Sequence, residues 1–389
     1  MWHNKAFQAD SFRVRDFNFN IQARRLNAGS LNSTRGNKIM DRVDDIEANF
    51  KTLEELNLSQ EDEKLLNKIC NGYKDDHNIR LILIERGLST SKKLVVKPKK
   101  LFPLLVKLDN KEVIQSEEIG DKVIRHRVPP HSIPPLDRVE FIGNRGAIGY
   151  RYITGGRVRD IVRRFDTELV NLSTFQACSI INDIYDVILK KCHWLDENYE
   201  MKKVELREMP FEPELKGDAK WLEMCDHYEK ARNICSEIKA PHGIVHGDLH
   251  PKNVLISRQN APVLIDFSMV KTELCQFFDF AKFEVNLQFQ CAGPLAKKMW
   301  RIEDLMYGKT PLIIPHSNSK LATCIHRIRA NLWQGCTRFA VKMDSQAIDF
   351  VYRGYLIYCL MRIYSRVNNS QESRNHAYSQ VMSLSFPFE

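Results

Sequence analysis

The sequence predicts an α+β protein in which a block of strands precedes a block of helices. Three observations lead there. Between Arg80 and Ile153, short aliphatic runs are separated by turn signals, the pattern of strands. From Gly156 onward, apolar residues recur at helical spacing over long stretches. The stretch His246–Ser268, HGDLHPKNVLISRQNAPVLIDFS, then places Asp248, Asn253 and Asp266 around one short hairpin. Runs of strands followed by runs of helices argue for segregated layers.

A chain of 389 residues has room for about two to three domains. Its 43% hydrophobic and 28% charged residues are those of an ordinary soluble globular protein. The best apolar run, Tyr355–Met361, is far short of the ~20 residues that span a bilayer, and arginines flank it. No apolar signal-peptide core opens the chain, so the expected compartment is the cytoplasm, with no membrane partner. The ten cysteines form no CxxC and read as small buried hydrophobes, not as bridges or zinc ligands. The net charge of +9 suits an anionic partner and selects none.

Residues 1–42 carry eight Lys/Arg against three acids, with Phe12, Phe17 and Phe19 interleaved. A nucleic-acid or partner-binding arm has this look; a partly ordered leader with a solvated basic face has it too and is the preferred reading. Residues 43–78 reverse the charge, and Leu53, Leu56, Leu65, Leu66 and Ile69 recur at roughly helical spacing, so one or two amphipathic helices are expected there. Residues 1–78 form an N-terminal extension on this reading.

Leu81–Glu85 and Lys93–Lys97 are strand-like and flank the turn Gly87-Leu-Ser-Thr-Ser91. Leu104–Leu108 is a third strand, with Lys107 inside an apolar run, where a lysine is costly unless paired. Lys111–Arg127 is a helix whose apolar face centres near Glu117; Glu118 is turned about 100° further. Four prolines make Val128–Leu136 an extended linker. Arg138–Ile142 and Ala147–Ile153 are two more strands.

In the helical block, Ser173 is an N-cap, and Phe175, Cys178, Ile181, Ile184, Tyr185 and Ile188 form a core-facing stripe through Lys191. Residues 196–220 read as an irregular charged insert and Lys220–Ala240 as a second helix. Ala292–Tyr307, Leu321–Ala340 and Ser345–Arg366 are helices. Their arginines, Arg327, Arg329, Arg353 and Arg362, have the look of a lining for an acidic-substrate cleft or of a solvent face, the second being the preferred reading; Lys282 and Glu284 read as surface charges.

The hairpin carries the chemistry. Val254–Ile256 and Val263–Ile265 pair across a turn at residues 258–261, which brings Asn253 next to Asp266. An amide oxygen and a carboxylate are hard ligands that suit a Mg²⁺ ion shared with substrate phosphates. Asp248 is then free to orient or deprotonate a hydroxyl.

HGDLHPKN followed by LIDFS resembles the catalytic loop and metal-binding strand of the aminoglycoside phosphotransferase and protein-kinase-like superfamily. FDFAKFE, at Phe278–Glu284, is similar to a DxAxxE run in one bacterial branch, the kinase-like ternary complex associated domains of conflict and signalling systems. The resemblance implies a two-lobed protein-kinase-like fold, with a small β-rich lobe at 79–155 and a helical lobe at 156–389. It implies a phosphotransferase that uses ATP and Mg²⁺ and an alcohol acceptor, or else a nucleotide-binding signalling module with protein partners and little turnover; a nucleic-acid partner is not expected.

Within that frame the resemblance assigns roles. Gly87, Ser89 and Ser91 lie over the nucleotide phosphates; Lys107 holds them and pairs with Glu117, or with Glu118, since the spacing of ten is short for the family. Tyr152 and Ile153 begin the hinge that meets adenine. Asp248 is the catalytic acid–base group, and Asn253 and Asp266 hold the metal. Asp279 buttresses the loop or caps a helix, and His246 is structural. His250 stands where Ser/Thr protein kinases usually carry lysine, which tilts the acceptor toward a small molecule.

Overall fold

A computed structural model describes residues 58–70, 80–84, 91–97, 103–151, 164–189, 200–209, 212–257, 259–290, 320–338, 343–366 and 370–384. The chain divides into Met1–Glu47 and Ala48–Glu389, and every described residue falls in the second unit. The basic arm at 1–42 lies outside the described residues.

The small lobe is built on one antiparallel sheet. Helix α1 (Gln60–Ile69) precedes β1 (Arg80–Ile84), β2 (Lys92–Lys97) and β3 (Leu104–Asn110); helix α2 (Lys111–Arg125) then leads to β4 (Leu136–Ile142) and β5 (Arg145–Arg151). The strand order is β1-β2-β3-β5-β4. Side chains alternate between the faces of a strand, so each strand serves two cores. Leu94, Val96, Leu104, Val106 and Leu108 pack under Leu65, Leu66 and Ile69 of α1. Val95, Leu105, Ile148 and Tyr150 face the other way, onto Ile114 of α2 and Leu255, Val263 and Ile265 of the hairpin. Lys107 has the parity of Leu105 and Lys93 that of Val95, so both ammoniums point to the hairpin side.

Helix α1 is fixed on its sheet by charge as well. Ser59 caps it by accepting from the Asp62 N–H at 3.1 Å. The buried Asp62 carboxylate takes Lys92 at 3.1 Å and Arg145 at 2.9 Å. Helix α2 ends two residues earlier than expected, and the proline-rich linker contains one 3₁₀ turn, Pro130–Ser132.

The helical lobe begins with α3 (Phe165–Glu168) and α4 (Thr174–Asp183), the latter running into a π-helical stretch, Ile184–Leu189. Ser173 caps α4 as expected, in a reciprocal box with Gln176. Phe175 does not join the core; it is 83% exposed, because the stripe that packs is carried by Ala177, Cys178, Ile180, Ile181 and Ile184.

Two further expectations change here. The charged insert contains a strand, β6 (Glu200–Lys203). The next helix, α5 (Ala219–Ser236), stops early and gives way to β7 (Lys239–Val245). Strand β7 is central, between β6 and β10 (Lys271–Cys275), despite Pro241. Pro241 gives no N–H to the ladder, but its carbonyl accepts from Gln276 N–H at 3.0 Å.

Strands β8 (Val254–Ile256) and β9 (Pro262–Leu264) form the expected hairpin, with Asn260 in the left-handed region at its turn. Helices α6 (Phe277–Gln290), α7 (Lys320–Arg338), α8 (Ser345–Tyr364) and α9 (Gln371–Ser383) complete the lobe. Helix α8 is apolar nearly all round and sits in the main core, which is what its Tyr355–Met361 run is for. No described helix is long and apolar enough to cross a membrane.

The four arginines and the acid expected at the surface divide. Arg329 and Arg353 are buried at 1% exposure. Arg329 forks onto Glu284, itself fully buried, with Nε 3.0 Å from Oε2 and Nη2 2.5 Å from Oε1. The Tyr352 hydroxyl donates to the same Oε2 at 2.6 Å. Burial requires such pairing, and a planar fork supplies it.

Candidate active site

Five elements deliver the site: β2 and β3 from the sheet, α2 beside it, the loop after β7, and the turn after β9. The loop is set first. Gly247 has φ +75°, and a Cβ there would stand 2.1 Å from the Met269 carbonyl oxygen, so this position takes glycine. Asp279, at the start of α6, accepts from the N–H groups of His246 at 2.7 Å and Gly247 at 2.9 Å. It buttresses the loop, as expected.

His246 is structural, also as expected. It is 1% exposed. Its Nε2 donates to the Ile265 carbonyl at 3.2 Å, and its Nδ1 accepts from the Asp248 N–H at 3.3 Å. That is the neutral imidazole, and burial holds its pKa below the usual 6.5.

Asp266 follows the hairpin in a left-handed conformation, φ +68°. Its carboxylate is the junction between the lobes. Oδ1 lies 2.6 Å from Lys107 Nζ and Oδ2 lies 2.6 Å from Lys93 Nζ. The Ser268 hydroxyl adds a bond to Oδ1 at 3.0 Å. Lys107 also meets Glu117 Oε2 at 2.6 Å, and Tyr150 donates to Glu117 Oε1 at 3.2 Å. Glu117 is therefore the partner of Lys107. Glu118 faces outward to Lys122.

The electrostatics follow from this packing. Burial works against the Asp266 charge, but Lys93 and Lys107 outweigh it and hold the carboxyl well below its usual range. Burial likewise opposes the Lys107 charge, and Glu117 and Asp266 outweigh it, so Lys107 stays a cation. Burial pushes Glu117 up against the pull of Lys107.

The close approach of α2 depends on Gly120. A Cβ at that position would stand 2.1 Å from the Phe267 carbonyl oxygen. One turn earlier on the same face is Glu117, so the missing side chain lets the helix bring Glu117 to Lys107 and Asp266.

On the other side of the loop, Asn253 is buried and donates from Nδ2 to the Asp248 carbonyl at 3.0 Å and to Asp248 Oδ2 at 3.3 Å. Asp248 Oδ1 lies 2.6 Å from Lys282 Nζ, and His250 Nε2 lies 3.5 Å from Oδ2. Burial raises the Asp248 pKa, but His250 and Lys282 more than offset it, and the group stays well below the usual carboxylate range.

Two residues were missing from the site that the sequence outlines. Lys93 shares the parity of Val95 and the register of Lys107, a signal available once the strands are paired. Lys282 follows the loop-anchoring Asp279 by three residues, so it lies on the same helical face; its ammonium also donates to the Gly247 carbonyl at 3.0 Å. It is not a surface charge.

Ser91 is described, but its buried hydroxyl donates to the Asp109 carboxylate, so it is directed into the lobe. Gly87, Ser89, Tyr152 and Ile153 lie outside the described residues. Among the described residues no cluster of three or more His, Cys, Asp or Glu side chains is placed to hold a metal. The fit for Mg²⁺ is of a different kind, because that ion keeps several waters and needs only one or two protein oxygens beside substrate phosphates. Asp266 and Asn253 supply one carboxylate and one amide oxygen, and the Asn253 amide nitrogen is already committed to Asp248. A cavity of about 800 Å³ lies elsewhere, between β6, α5 and β10, with Lys202, Arg232, Glu229 and Glu273 in its wall.

Residues 221–335 match the family model described as ternary complex associated domain 9, a span that contains the loop, the hairpin and α6. No curated protein matches the chain in sequence. Solved structures share the fold at low identity. The apo form of a thermostable mutant of aminoglycoside phosphotransferase APH(4)-Ia has a TM-score of 0.51 at 11% identity, over 83% of this chain and 97% of that one. A point variant of that mutant, in ternary complex with ADP and hygromycin B, has 0.50 at 9%, over 82% and 96%. Amicoumacin kinase hAmiN, in complex with AMP-PNP, Ca²⁺ and Ami, has 0.50 at 14%, over 85% and 96%. The chain thus has the two-lobed fold of the aminoglycoside phosphotransferase and protein-kinase-like superfamily, and over residues 221–335 it is similar to the ternary complex associated domains.

Proposed function

We propose that this chain is an ATP- and Mg²⁺-dependent phosphotransferase that delivers a phosphoryl group to the hydroxyl of a small molecule. The observation that carries the reading is the cluster on Asp266. Two ammoniums from the small lobe and one carboxylate after the hairpin meet at 2.6 Å, in a site whose other edge is the Asp248–Asn253 pair. Such a cluster has little use as a stabilising device alone, since buried ion pairs roughly break even against apolar packing. It has a use where phosphate charge must be held.

Lys107, fixed by Glu117, and Lys93 hold nucleotide phosphates. On this reading Gly87 and Ser89 cover those phosphates, without Ser91, whose hydroxyl is bonded to Asp109, and Tyr152 and Ile153 meet the adenine. Asp266 and the Asn253 amide oxygen hold Mg²⁺, which neutralises charge on the phosphates when bound. Asp248 accepts a hydrogen bond from the acceptor hydroxyl and orients it. Its depressed pKa makes it a weak base, so it takes the proton only as the new O–P bond forms and the γ-phosphorus bond to the bridging oxygen of the departing ADP breaks. Catalysis is then positioning and charge neutralisation. The compartment is the cytoplasm.

Asp248→Ala should abolish phosphoryl transfer and keep Mg²⁺-dependent ATP binding, read by γ-labelled ATP and by calorimetry. Undiminished transfer in the variant would remove Asp248 from the mechanism. A second reading is a nucleotide-binding signalling module with little turnover that acts through protein partners. The match to a ternary complex associated domain favours it. Tight ATP binding with no transfer to any hydroxyl compound would select it.

A further inference from the structure

One helix holds the loop around Asp248 through both its backbone and its carboxylate. Asp279 of α6 accepts from the N–H groups of His246 at 2.7 Å and Gly247 at 2.9 Å. Lys282, three residues on and so on the same helical face, donates to the Gly247 carbonyl at 3.0 Å and stands 2.6 Å from Asp248 Oδ1. Its ammonium lies 5.4 Å from the centroid of the buried Phe278 ring. Asp279 places the backbone before Asp248, and Lys282 reaches the carboxylate itself. The loop's own contacts to that carboxylate are longer, and both fall on the other oxygen. Asn253 Nδ2 is 3.3 Å and His250 Nε2 3.5 Å from Oδ2.

The two carboxylate oxygens are thus unlike. Charge-assisted N–H···O bonds are short and strong, and one at 2.6 Å fixes Oδ1 on the ammonium. Oδ2, with two longer contacts, keeps the capacity to accept from another donor. The terminal torsion of an aspartate is broad, so nothing intrinsic to the side chain selects which oxygen faces an acceptor. Holding Oδ1 does select it. Joining α6 to the loop does not require the Asp248 carboxylate, because Asp279 and the Gly247 carbonyl already make that join.

We propose that Lys282 is a positioning residue: it holds Asp248 by Oδ1 so that Oδ2 receives the acceptor hydroxyl. This rests on the phosphotransferase reading above and deepens it. In the step so aligned, the acceptor oxygen forms a bond to the γ-phosphorus, the γ-phosphorus bond to the bridging oxygen breaks, and ADP leaves with that electron pair. The hydroxyl proton passes to Oδ2 and from there to solvent. Lys282 gives up no proton in this step. Its effect is on geometry, where a misplacement of about 1 Å can cost ~10²-fold in rate.

Mg²⁺-dependent ATP hydrolysis by the full chain tests this, with water as the acceptor. Lys282→Met should lower kcat roughly tenfold to a hundredfold and leave KM for ATP and calorimetric ATP affinity unchanged. Lys282→Arg keeps a cationic donor on a long side chain and should recover most of that loss. Circular-dichroism melts check folding. If Lys282→Met does not fold, Lys282→Gln keeps a donor without the charge, and the same fall in kcat is expected of it. With wild type turning over, three results would each overturn the proposal: wild-type kcat in the uncharged variant, a rise in KM with kcat unchanged, or a loss in Lys282→Arg as large as in the uncharged variant. No hydrolysis by wild type would overturn the phosphotransferase reading itself, and the role of Lys282 with it.

Discussion

Lys93 and Lys107 stand directly opposite each other on β2 and β3, two like charges in register, and the Asp266 carboxylate puts one oxygen 2.6 Å from each ammonium. Like charges facing each other across a sheet are destabilising by themselves. Here the third charge comes from the other lobe, so the local conflict in the sheet becomes a tie between the lobes. The tie is also the place where phosphate oxygens and a metal ion would compete for the same groups.

The two lysines are predicted to differ in what they do for stability. Lys107→Met leaves Glu117 buried with no cation and should cost about 3–5 kcal/mol. Lys93 is 22% exposed at its side chain, and Lys93→Met should cost about 1 kcal/mol or less. Urea denaturation of both variants checks this, and equal losses would contradict it.

Gly120→Ala is predicted to separate α2 from the segment after Asp266. A Cβ 2.1 Å from the Phe267 carbonyl must displace backbone, which should cost about 1–3 kcal/mol. Because Glu117 travels with the helix, ATP affinity should fall as well. A variant with wild-type melting and wild-type ATP affinity would show that the approach is not required.

Stability is predicted to fall as pH drops below about 6.5. The folded pKa of His246 lies below its unfolded value of 6.5, so between the two the unfolded chain binds more protons. The contribution is present above 6.5 and is lost as pH falls toward the folded value, at about 1.4 kcal/mol for each unit of displacement. Buried His242 is displaced in the same direction. His246→Gln should therefore reduce the slope of melting temperature between about pH 8 and pH 5 without abolishing it. An unchanged slope would mean that folding does not displace the His246 pKa.

The Glu284–Arg329 pair ties α6 to α7 within the helical lobe. Arg329→Met removes the two-bond guanidinium fork from the buried Glu284 carboxylate and should cost about 3–5 kcal/mol. Chemical denaturation measures this, and a loss below about 1 kcal/mol would show the pair to be dispensable.

The sheet and the hairpin were legible in the sequence because short aliphatic runs bounded by turn residues are local signals. So was Asp248–Asn253–Asp266, since the three fall within one stretch. Strand β7 was not legible: Lys239–Val245 opens with Lys-Ala-Pro, and its neighbours β6 and β10 are more than 25 residues away in sequence, so tertiary pairing decides it. Lys282 and Glu284 read as surface charges because a helix such as α6, buried on nearly every face, gives no amphipathic stripe to mark which charges point inward. Phe175 was misplaced for the opposite reason: a helical stripe says which residues share a face, and the first turn of α4 projects past the core that the rest of that face meets.

The central claim is that Asp266 joins the nucleotide lysines to a metal site, and ATP binding and turnover with and without Mg²⁺, in wild type beside Asp266→Ala, test it most directly. The account predicts Mg²⁺-dependent binding and slow hydrolysis in wild type and neither in the variant. Wild-type binding or turnover in Asp266→Ala, or ATP binding in wild type that is indifferent to Mg²⁺, would contradict it.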